Sequence, residues 1–369
     1  MDIPIHLLAI LSLLGSELGF LLVPATGTDL PVVWPPTGIL VAALLLSDRA
    51  RWKTCIAVAA AAAAVSCLAH GLPVRLAVVL SAVPALEGLL TAWVVRRERN
   101  EPFGLDRIAG TWRLALAGLA VPVAGSVVGT VILGSGEFGT PFTAARAWWL
   151  REALGILIIA PLAMGLVKEG RRLRDITPSR AVEAIVVFGG LTTVTALIFG
   201  EIIDPFLSVP TYVLPFILWA AFRFGPAGSA TTVFLVMAVA MWNAARGQGP
   251  LAAGVPVLNL IARSQGAMVV ATISFMMLAS SIAERRRIAD ENTRLVGRLQ
   301  QALAEVKTLQ GFIPICAWCH KVRDDAGFWQ QIEKYLDART EATFSHSICP
   351  SCASDASDEI GVQLMPPPQ

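Results

Sequence analysis

The chain changes its solvent preference once, near residue 282, and this change constrains the fold more than any other feature. Residues 1–282 form a series of apolar segments separated by short basic loops. Many of these segments approach the roughly 20 apolar residues that a helix needs to cross a bilayer. From Glu284 onward the sequence is charged, and it then reaches two closely spaced cysteine pairs. The pattern predicts an all-α polytopic membrane protein, followed by a short coiled coil and a small Cys-rich C-terminal module.

Composition supports this assignment. Hydrophobic residues make up 55% of the 369 residues and charged residues only 15%, whereas soluble domains have roughly 45–50% apolar and about 25% charged residues. The net charge is only +2, so no broad basic surface for nucleic acid is expected. The N-terminus lacks the basic region of a cleaved signal peptide, so the first apolar segment is expected to remain as a helix.

Ten apolar segments can be delimited, and eight to ten of them are expected to be transmembrane helices. The second and the eighth are short and contain proline, which makes them candidates for partial or re-entrant helices. The ten segments are 3–23, 32–47, 51–69, 73–95, 110–133, 144–167, 181–200, 207–223, 226–245 and 258–282.

Basic residues predict the orientation, because Lys and Arg in short loops stay on the cytoplasmic side. With ten spans, every basic cluster falls on one side of the membrane. Eight spans give the same result if two segments do not cross. Both termini are therefore predicted to be cytoplasmic. The clusters are Arg49, Arg51 and Lys53; Arg96, Arg97, Arg99 and Arg107; Lys168, Arg171, Arg172 and Arg174; Arg223; and Arg285, Arg286 and Arg287.

Polar and proline residues inside the apolar segments mark a candidate site. Intramembrane carboxyl groups cost free energy and usually face the bundle interior, and a proline-rich turn at membrane depth must be satisfied by protein or water. The candidate ligand or polar site consists of Glu17, Trp34, Pro35, Glu87, Trp149 and Glu152. Alternatively, the carboxyl groups only fix helix packing through hydrogen bonds, and the Trp148–Trp149 pair is an interfacial anchor.

Five stretches within residues 1–287 together resemble the first family of bacterial membrane-associated sensor domains, the MASE type. The resemblance implies a multi-span sensory module in a bacterial inner membrane, of the kind that precedes histidine kinase or diguanylate cyclase domains. Glu152 stands where that family usually has an acidic residue after a tryptophan pair. The stretches are VWPPTGILVAALLL (33–46), ALEGLLTAWVVRR (85–97), WWLREALGILIIAP (148–161), LPFILWAAFRFGPAG (214–228) and SSIAERR (280–286).

After the last span, apolar residues recur at steps of three and four, which is typical of a coiled-coil seam. Asn292 falls on this seam, where a buried Asn would specify a parallel homodimer. Pro314 is expected to end the helix. The alternative is a monomeric amphipathic helix that lies along the membrane or the bundle. The seam residues are Ile288, Leu295, Leu299, Ala302, Val306, Leu309 and Ile313.

Four of the six cysteines form two C-x-x-C pairs, Cys316 with Cys319 and Cys349 with Cys352, with 29 residues between the pairs. Two such pairs can hold one structural zinc ion through four thiolates. A segment of about 45 residues buries too little core to fold unaided, and a metal would supply the missing stability.

The two cysteine pairs allow four alternatives to a four-cysteine zinc site. Disulfides are disfavoured in a reducing cytoplasm. A thioredoxin-like redox pair lacks a surrounding βαβ pattern. The stretch CAWCH (316–320) matches a c-type haem attachment sequence, but haem is attached outside the cytoplasm and the second pair would be spare. Finally, His320 or His346 could replace one cysteine as a ligand.

Residues 302–352 also resemble a short module found at the C-termini of bacterial signalling proteins. The matching residues are ALAEVKTLQGFIPICAWCHKVRDDAGFWQQIEKYL and ATFSHSICPSC. This resemblance implies a signalling context and no particular reaction.

These features predict four segments: a MASE-like sensor at 1–282, a signalling helix at 283–313, a Cys-rich module at 314–353 and a disordered tail at 354–369. The sequence contains no legible kinase, cyclase, P-loop or nucleophile–base motif, so it is not expected to be an enzyme. The favoured function is an inner-membrane sensory protein that relays a signal through a dimeric helix to a cytoplasmic kinase, cyclase or response regulator. The alternatives are a transporter or channel with a regulatory tail, and a membrane thiol-redox protein.

Overall fold

The structure is a computed structural model that describes residues 3–22, 31–97, 103–133, 140–169, 177–200, 210–244, 246–249, 257–305, 313–340 and 343–360. The chain divides into two compact units, Met1–Ile288 and Ala289–Gln369. Each unit is described by itself below.

The first unit is an all-α bundle. Its helices are α1 Ile5–Leu21, α2 Pro35–Leu46, α3 Trp52–Ala69, α4 Val74–Val95, α5 Ile108–Leu133, α6 Pro141–Leu154, α7 Ala160–Glu169, α8 Pro178–Ala184, α9 Gly190–Phe199, α10 Leu214–Ala244 and the start of α11 Val257–Glu305. The turn Gly155–Ile159 joins α6 to α7, and Ile185–Gly189 joins α8 to α9; both are π-helical. Short 3₁₀ turns cover Arg49–Arg51 and Pro210–Val213.

Within the described residues, seven helical stretches are long and apolar enough to cross a membrane. Two shorter apolar helices, Ile5–Leu21 and Pro35–Leu46, accompany them. The prediction of an all-α polytopic membrane protein is therefore confirmed. The seven stretches are Arg49–Ala69, Val74–Val95, Ile108–Ile132, Pro141–Val167, Pro178–Phe199, Thr211–Ala244 and Asn259–Leu303.

One of these stretches, α10, folds back on itself. Its backbone leaves the helical conformation at Gly225, where φ is 63° and ψ is −154°. A Cβ atom on Gly228 would lie 3.1 Å from the carbonyl oxygen of Ala220, although eight residues of straight helix would separate them by about 12 Å. Ile217 and Val236 likewise pack in one apolar cluster. Residues 214–224 and 226–244 are therefore two antiparallel arms, which correspond to the eighth and ninth predicted segments.

The first arm and α2 are both too short to cross a bilayer. At 1.5 Å per residue, each of them is about 17–18 Å long, against roughly 30 Å of hydrocarbon. The second predicted segment is therefore a partial helix. In the eighth, 207–223, the 3₁₀ turn Pro210–Val213 precedes the first arm, and residues 207–209 lie outside the described residues. The short helix α2 is also the centre of the bundle, since Pro35–Leu45 are all buried and the helix packs against α1, α3, α4 and α7.

The α2 helix approaches the π-helical turn very closely, and two glycines permit this. A Cβ atom on Gly38 would collide with the carbonyl oxygen of Gly155, and a Cβ atom on Gly155 would collide with the carbonyl oxygen of Trp34. The start of α2 is therefore held in backbone contact with the residues that follow Glu152.

The second unit contains the rest of α11, a two-stranded antiparallel hairpin and two short helices. The strands are β1 Val322–Arg323 and β2 Trp329–Gln330. The helices are α12 Ile332–Asp337 and α13 Pro350–Ile360. The predicted disordered tail at 354–369 needs correction, because α13 continues through residues 354–360. The rest of that tail, 361–369, lies outside the described residues, as do the seam positions Val306 and Leu309.

Candidate functional site

A buried ion pair lies at the start of α2. The guanidinium Nη2 of Arg151 is 2.8 Å from Oε1 of Glu152, and both side chains are essentially inaccessible. The hydroxyl of Thr37, in the first turn of α2, donates a 2.6 Å hydrogen bond to Oε2 of the same carboxylate. The positive end of the α2 dipole also favours a carboxylate at this place. Glu152 is thus satisfied by one cation and one hydroxyl.

Two indole rings enclose the guanidinium of Arg151. Its central carbon lies 4.2 Å from the ring centroid of Trp148 and 5.7 Å from that of Trp34. Trp148 precedes Arg151 by three residues on α6, so the two side chains share one face of the helix. Such cation–π contacts are strongest where water is excluded, and both tryptophans are buried here.

A second carboxyl group joins this arrangement through Trp148. The indole Nε1 of Trp148 donates a 3.3 Å hydrogen bond to Oε1 of Glu87, which lies on α4 and is buried. A Cβ atom on Gly125 of α5 would collide with the same carboxyl oxygen. No ion pair is recorded between Glu87 and a cation of the described residues. The buried polar cluster is therefore Trp34, Thr37, Glu87, Trp148, Arg151 and Glu152.

Several buried polar atoms of this cluster have no hydrogen-bond partner among the described residues. They are Nε1 of Trp34, Nε and Nη1 of Arg151, and Oε2 of Glu87. Trp34 and Thr37 also line a small cavity of about 10 Å³, which is close to the minimum needed for one water molecule. Buried polar groups are almost always paired, so the cluster offers three donor nitrogens and one carboxyl oxygen to a further group.

The structure places two of the predicted site residues elsewhere. Trp149 points away from the cluster and donates a 2.8 Å hydrogen bond to the carbonyl oxygen of Leu119 on α5. Glu17 is half-exposed and accepts a 2.6 Å hydrogen bond from Ser66. The ring of His70 stacks on that of Phe20 with 4.1 Å between the ring centroids. Its Nε2 atom lies 3.5 Å from Oε2 of Glu17. Pro35 opens α2 beside Trp34.

Sequence reasoning missed part of the cluster. The sequence offers an interfacial anchor as an alternative for the Trp148–Trp149 pair, whereas the structure buries Trp148 against Arg151 and Glu87. Arg151 is not among the site residues predicted from the sequence. The spacing of the two residues on α6 was the available signal, since an aromatic residue three positions before an arginine shares its helix face.

The last helix of the bundle, α11, is hydrogen-bonded to the segment that leads into the cluster. Nε2 of Gln265 donates a 2.7 Å hydrogen bond to the carbonyl oxygen of Val32, two residues before Trp34. Gln265 is buried. This hydrogen bond links α11 to the segment that immediately precedes α2.

The membrane-exit end of α11 is held by three further contacts. The hydroxyl of Ser280 donates to the carbonyl oxygen of Leu105 at 2.8 Å, and Oε2 of Glu284 accepts from the backbone N–H of Ile108 at the start of α5. Arg286 donates to the carbonyl oxygen of Phe222, near the end of the first arm of α10, at 2.6 Å. These anchors lie within the stretch 280–286 that contributed to the family resemblance.

The first cysteine pair lies in a turn, and the second lies at the start of α13, where Cys349 immediately precedes the helix and Cys352 is in its first turn. The backbone N–H of His320 bonds to the carbonyl oxygen of Cys316 at 3.0 Å, and His320 itself adopts a left-handed conformation with φ of 57°. In each pair, the two thiols interact with one another. Among the described residues, no three His, Cys, Asp or Glu side chains form a metal-binding group.

The thiols of this segment have shifted acidities. A hydrogen bond from the hydroxyl of Ser351, with help from the backbone and thiol of Cys352, lowers the pKa of Cys349 to about 7. Interaction with Cys349 raises the pKa of Cys352. Backbone N–H groups of Cys319 and Trp318 lower the pKa of Cys316. One thiol in each pair therefore has a lowered pKa, and the thiolate is the form that binds metals.

The first unit thus defines a class: a polytopic helical membrane protein with a charged, tryptophan-lined cluster at its centre. A family model, MASE1, matches residues 5–287. The chain belongs to the MASE1 family, whose members are membrane-associated sensor domains found in signalling proteins. Comparisons with curated proteins and with solved structures gave no match.

Proposed function

We propose that this protein is an inner-membrane sensor whose buried polar cluster controls the position of α11, which passes the signal to a cytoplasmic partner. The single observation that carries the proposal is the Gln265–Val32 hydrogen bond, because it ties α11 to the chain segment that presents Trp34. A stimulus that binds two arrangements of the cluster with different affinities would shift α11 between two positions.

The cluster is suited to sensing because its polar atoms are only partly satisfied. Unpaired donors of Arg151 and Trp34 and an unpaired oxygen of Glu87 can be satisfied by a ligand, a proton or a rearrangement of the helices. Each of these events would change the contacts around α2. Because α2 is packed on four sides by other helices, a change at its start is transmitted to them.

The output is proposed to run along a parallel dimer of the rod, residues 283–313. The seam residues Ile288, Leu295 and Leu299 are exposed in the single chain, with Leu299 63% accessible. A second copy of the same helix would bury these side chains by knobs-into-holes packing. Asn292 is also exposed in the single chain, and pairing with its counterpart would fix the register.

The Cys-rich module is proposed to hold one structural zinc ion and to dock on the partner, a kinase, cyclase or response regulator. Two C-x-x-C pairs, one in a turn and one at the start of α13, offer the four thiols that suit zinc, and metal binding would stabilise the folded module. Trp318, which is 94% exposed, lies inside the turn of the first pair and would then be presented to the partner. Both chain termini are proposed to be cytoplasmic.

The proposed relay, in which the buried polar cluster acts through α11 on a dimer of the rod, is tested by photo-cross-linking of the full chain in membranes. A benzoylphenylalanine residue replaces Leu299 on the seam or, as a matched control, Gly297 on the opposite side of the helix. The expected result is a cross-linked dimer from position 299 and much less from position 297. The Trp148→Phe variant, which removes the hydrogen bond to Glu87, should change the yield at position 299. Equal yields at both positions would exclude the dimer, and a yield insensitive to Trp148→Phe would exclude the relay.

A further inference from the structure

A second cavity of the first unit lies between the arms of α10 and the helix α11. Its volume is about 240 Å³. It shares no lining residue with the buried polar cluster. Its wall is formed by the end of α9, both arms of α10 and one face of α11, including Phe199, Ile217, Val233, Val236, Ala271 and Phe275.

The lining of this cavity determines what it can hold. Among the described residues that line it, Thr211 alone has a polar side chain, and a buried water molecule typically needs two to four polar partners. An apolar cavity of about 150 Å³ stays dry and binds benzene or xenon, and the present cavity is larger than that. Hydrocarbon is therefore the chemistry that matches the wall.

The cavity reaches the surface of the unit at two of its lining residues. Leu214 and Ala267 both line the cavity, and both are exposed on the surface of the unit. They belong to the apolar stretches Thr211–Ala244 and Asn259–Leu303, which are candidate membrane spans, and we expect this surface to face lipid. An apolar molecule could enter from the bilayer without crossing water.

We propose that this cavity is a binding site for an apolar molecule, with hydrocarbon as the recognised chemistry. The two available sources are the acyl chain of a membrane lipid and a small free apolar compound dissolved in the bilayer. Apolar side chains of both α10 arms and of α11 would surround the bound molecule, and dispersion contacts with Phe199 and Phe275 would stabilise it.

Occupancy would act on the position of α11, a consequence that rests on the proposed function. Ala267, Met268, Ala271 and Phe275 of α11 form one wall. A bound molecule favours the position of α11 that leaves room for it, provided that the two positions differ in affinity. Binding itself does not depend on this coupling.

The binding site is tested by photolabelling of the full chain in lipid nanodiscs. One probe is a small free aryl diazirine, and the other is a phosphatidylcholine with a diazirine in its acyl chain. Labelled peptides are mapped by mass spectrometry in the wild type, in Ala271→Phe, which fills the cavity, and in Val270→Phe. Val270 is adjacent in sequence but 67% exposed on another face of α11, so it is the matched control.

The expected result is labelling of residues 211–217 and 267–275 in the wild type and in Val270→Phe, and its loss in Ala271→Phe. The probe that labels identifies the source, lipid chain or free molecule. Circular dichroism verifies folding, and Val236→Phe fills the same cavity from α10 if Ala271→Phe does not fold. Equal labelling in the filled and control variants, or no labelling of this wall by either probe, would overturn the proposal. Because photolabelling does not depend on signalling, failure of the relay would be seen separately in the rod cross-links.

Discussion

Nε2 of Gln265 lies 2.7 Å from the carbonyl oxygen of Val32, across 233 residues of sequence. The amide is buried on α11, and the carbonyl belongs to the short segment that precedes α2. This single hydrogen bond joins the helix that leaves the bundle to the entry of the helix at its centre.

Replacing Gln265 with Leu should loosen the entry of α2. The carbonyl oxygen of Val32 would lose its donor inside the bundle, at a cost of about 1–3 kcal/mol. We expect faster amide hydrogen exchange in a peptide covering residues 31–40 of the full chain in detergent, measured by mass spectrometry. Ser274→Ala, on an exposed part of α11, is the control and should leave this exchange unchanged. Unaltered exchange in Gln265→Leu would show that the contact does not hold this segment.

The two buried carboxyl groups should differ in their contribution to stability. Glu152→Gln leaves the Arg151 guanidinium buried without its counter-charge, which costs about 3–5 kcal/mol. Glu87→Gln removes no ion pair, and the amide oxygen can still accept from Trp148. Thermal unfolding in detergent should show a clearly lower midpoint for Glu152→Gln than for Glu87→Gln. A comparable loss in both variants would mean that Glu87 has a cationic partner in the folded protein.

The glycine contact between α2 and the π-helical turn should tolerate no side chain. In Gly38→Ala and Gly155→Ala, the new methyl group meets a backbone carbonyl that cannot rotate away. Overpacking of this kind costs about 1–3 kcal/mol. Gly189→Ala is a matched control, since it also lies in a π-helical turn but its Cβ would meet nothing within 4 Å. Unfolding midpoints should therefore fall for the first two variants only; a similar fall for Gly189→Ala would attribute the effect to helix geometry.

The purified full chain should contain about one zinc ion per molecule, held by Cys316, Cys319, Cys349 and Cys352. Elemental analysis after dialysis measures this content, and Cys349→Ser should lower it sharply because a thiolate ligand is lost. Cys67→Ser serves as the control, since Cys67 is buried in the bundle. A metal-free wild type with a reversible Cys316–Cys319 disulfide would instead favour the thiol-redox alternative.

Asn292→Leu should strengthen the rod and weaken its register. Leucine on the seam adds apolar contact area, whereas the asparagine pair restricts the dimer to one alignment. With benzoylphenylalanine at Leu299 or Gly297, we expect a higher total dimer yield and a smaller difference between the two positions than in the wild type. A lower dimer yield in Asn292→Leu would place residue 292 outside the dimer contact.

The sequence by itself determined the elements that depend on contiguous residues. Segment length and hydropathy predicted ten apolar segments, and the structure has a helical segment in each, including the short α2 and the short first arm of α10. The predicted break between the eighth and ninth segments coincides with Gly225 and Pro226, because glycine reaches positive φ and proline lacks an N–H donor. Family membership also followed from local stretches of the bundle.

Only the tertiary structure decided which polar residues meet. Glu87 and Glu152 belong to one cluster because Trp148 and Arg151 lie between them, whereas Glu17 and Trp149 face other partners. The physical reason is that membrane helices are apolar on nearly every face, so the sequence carries little periodic signal for the rotation of each helix. Convergence of side chains from α2, α4 and α6, and the cavity beside α11, depend on that rotation and on close backbone contacts such as Gly38 against Gly155.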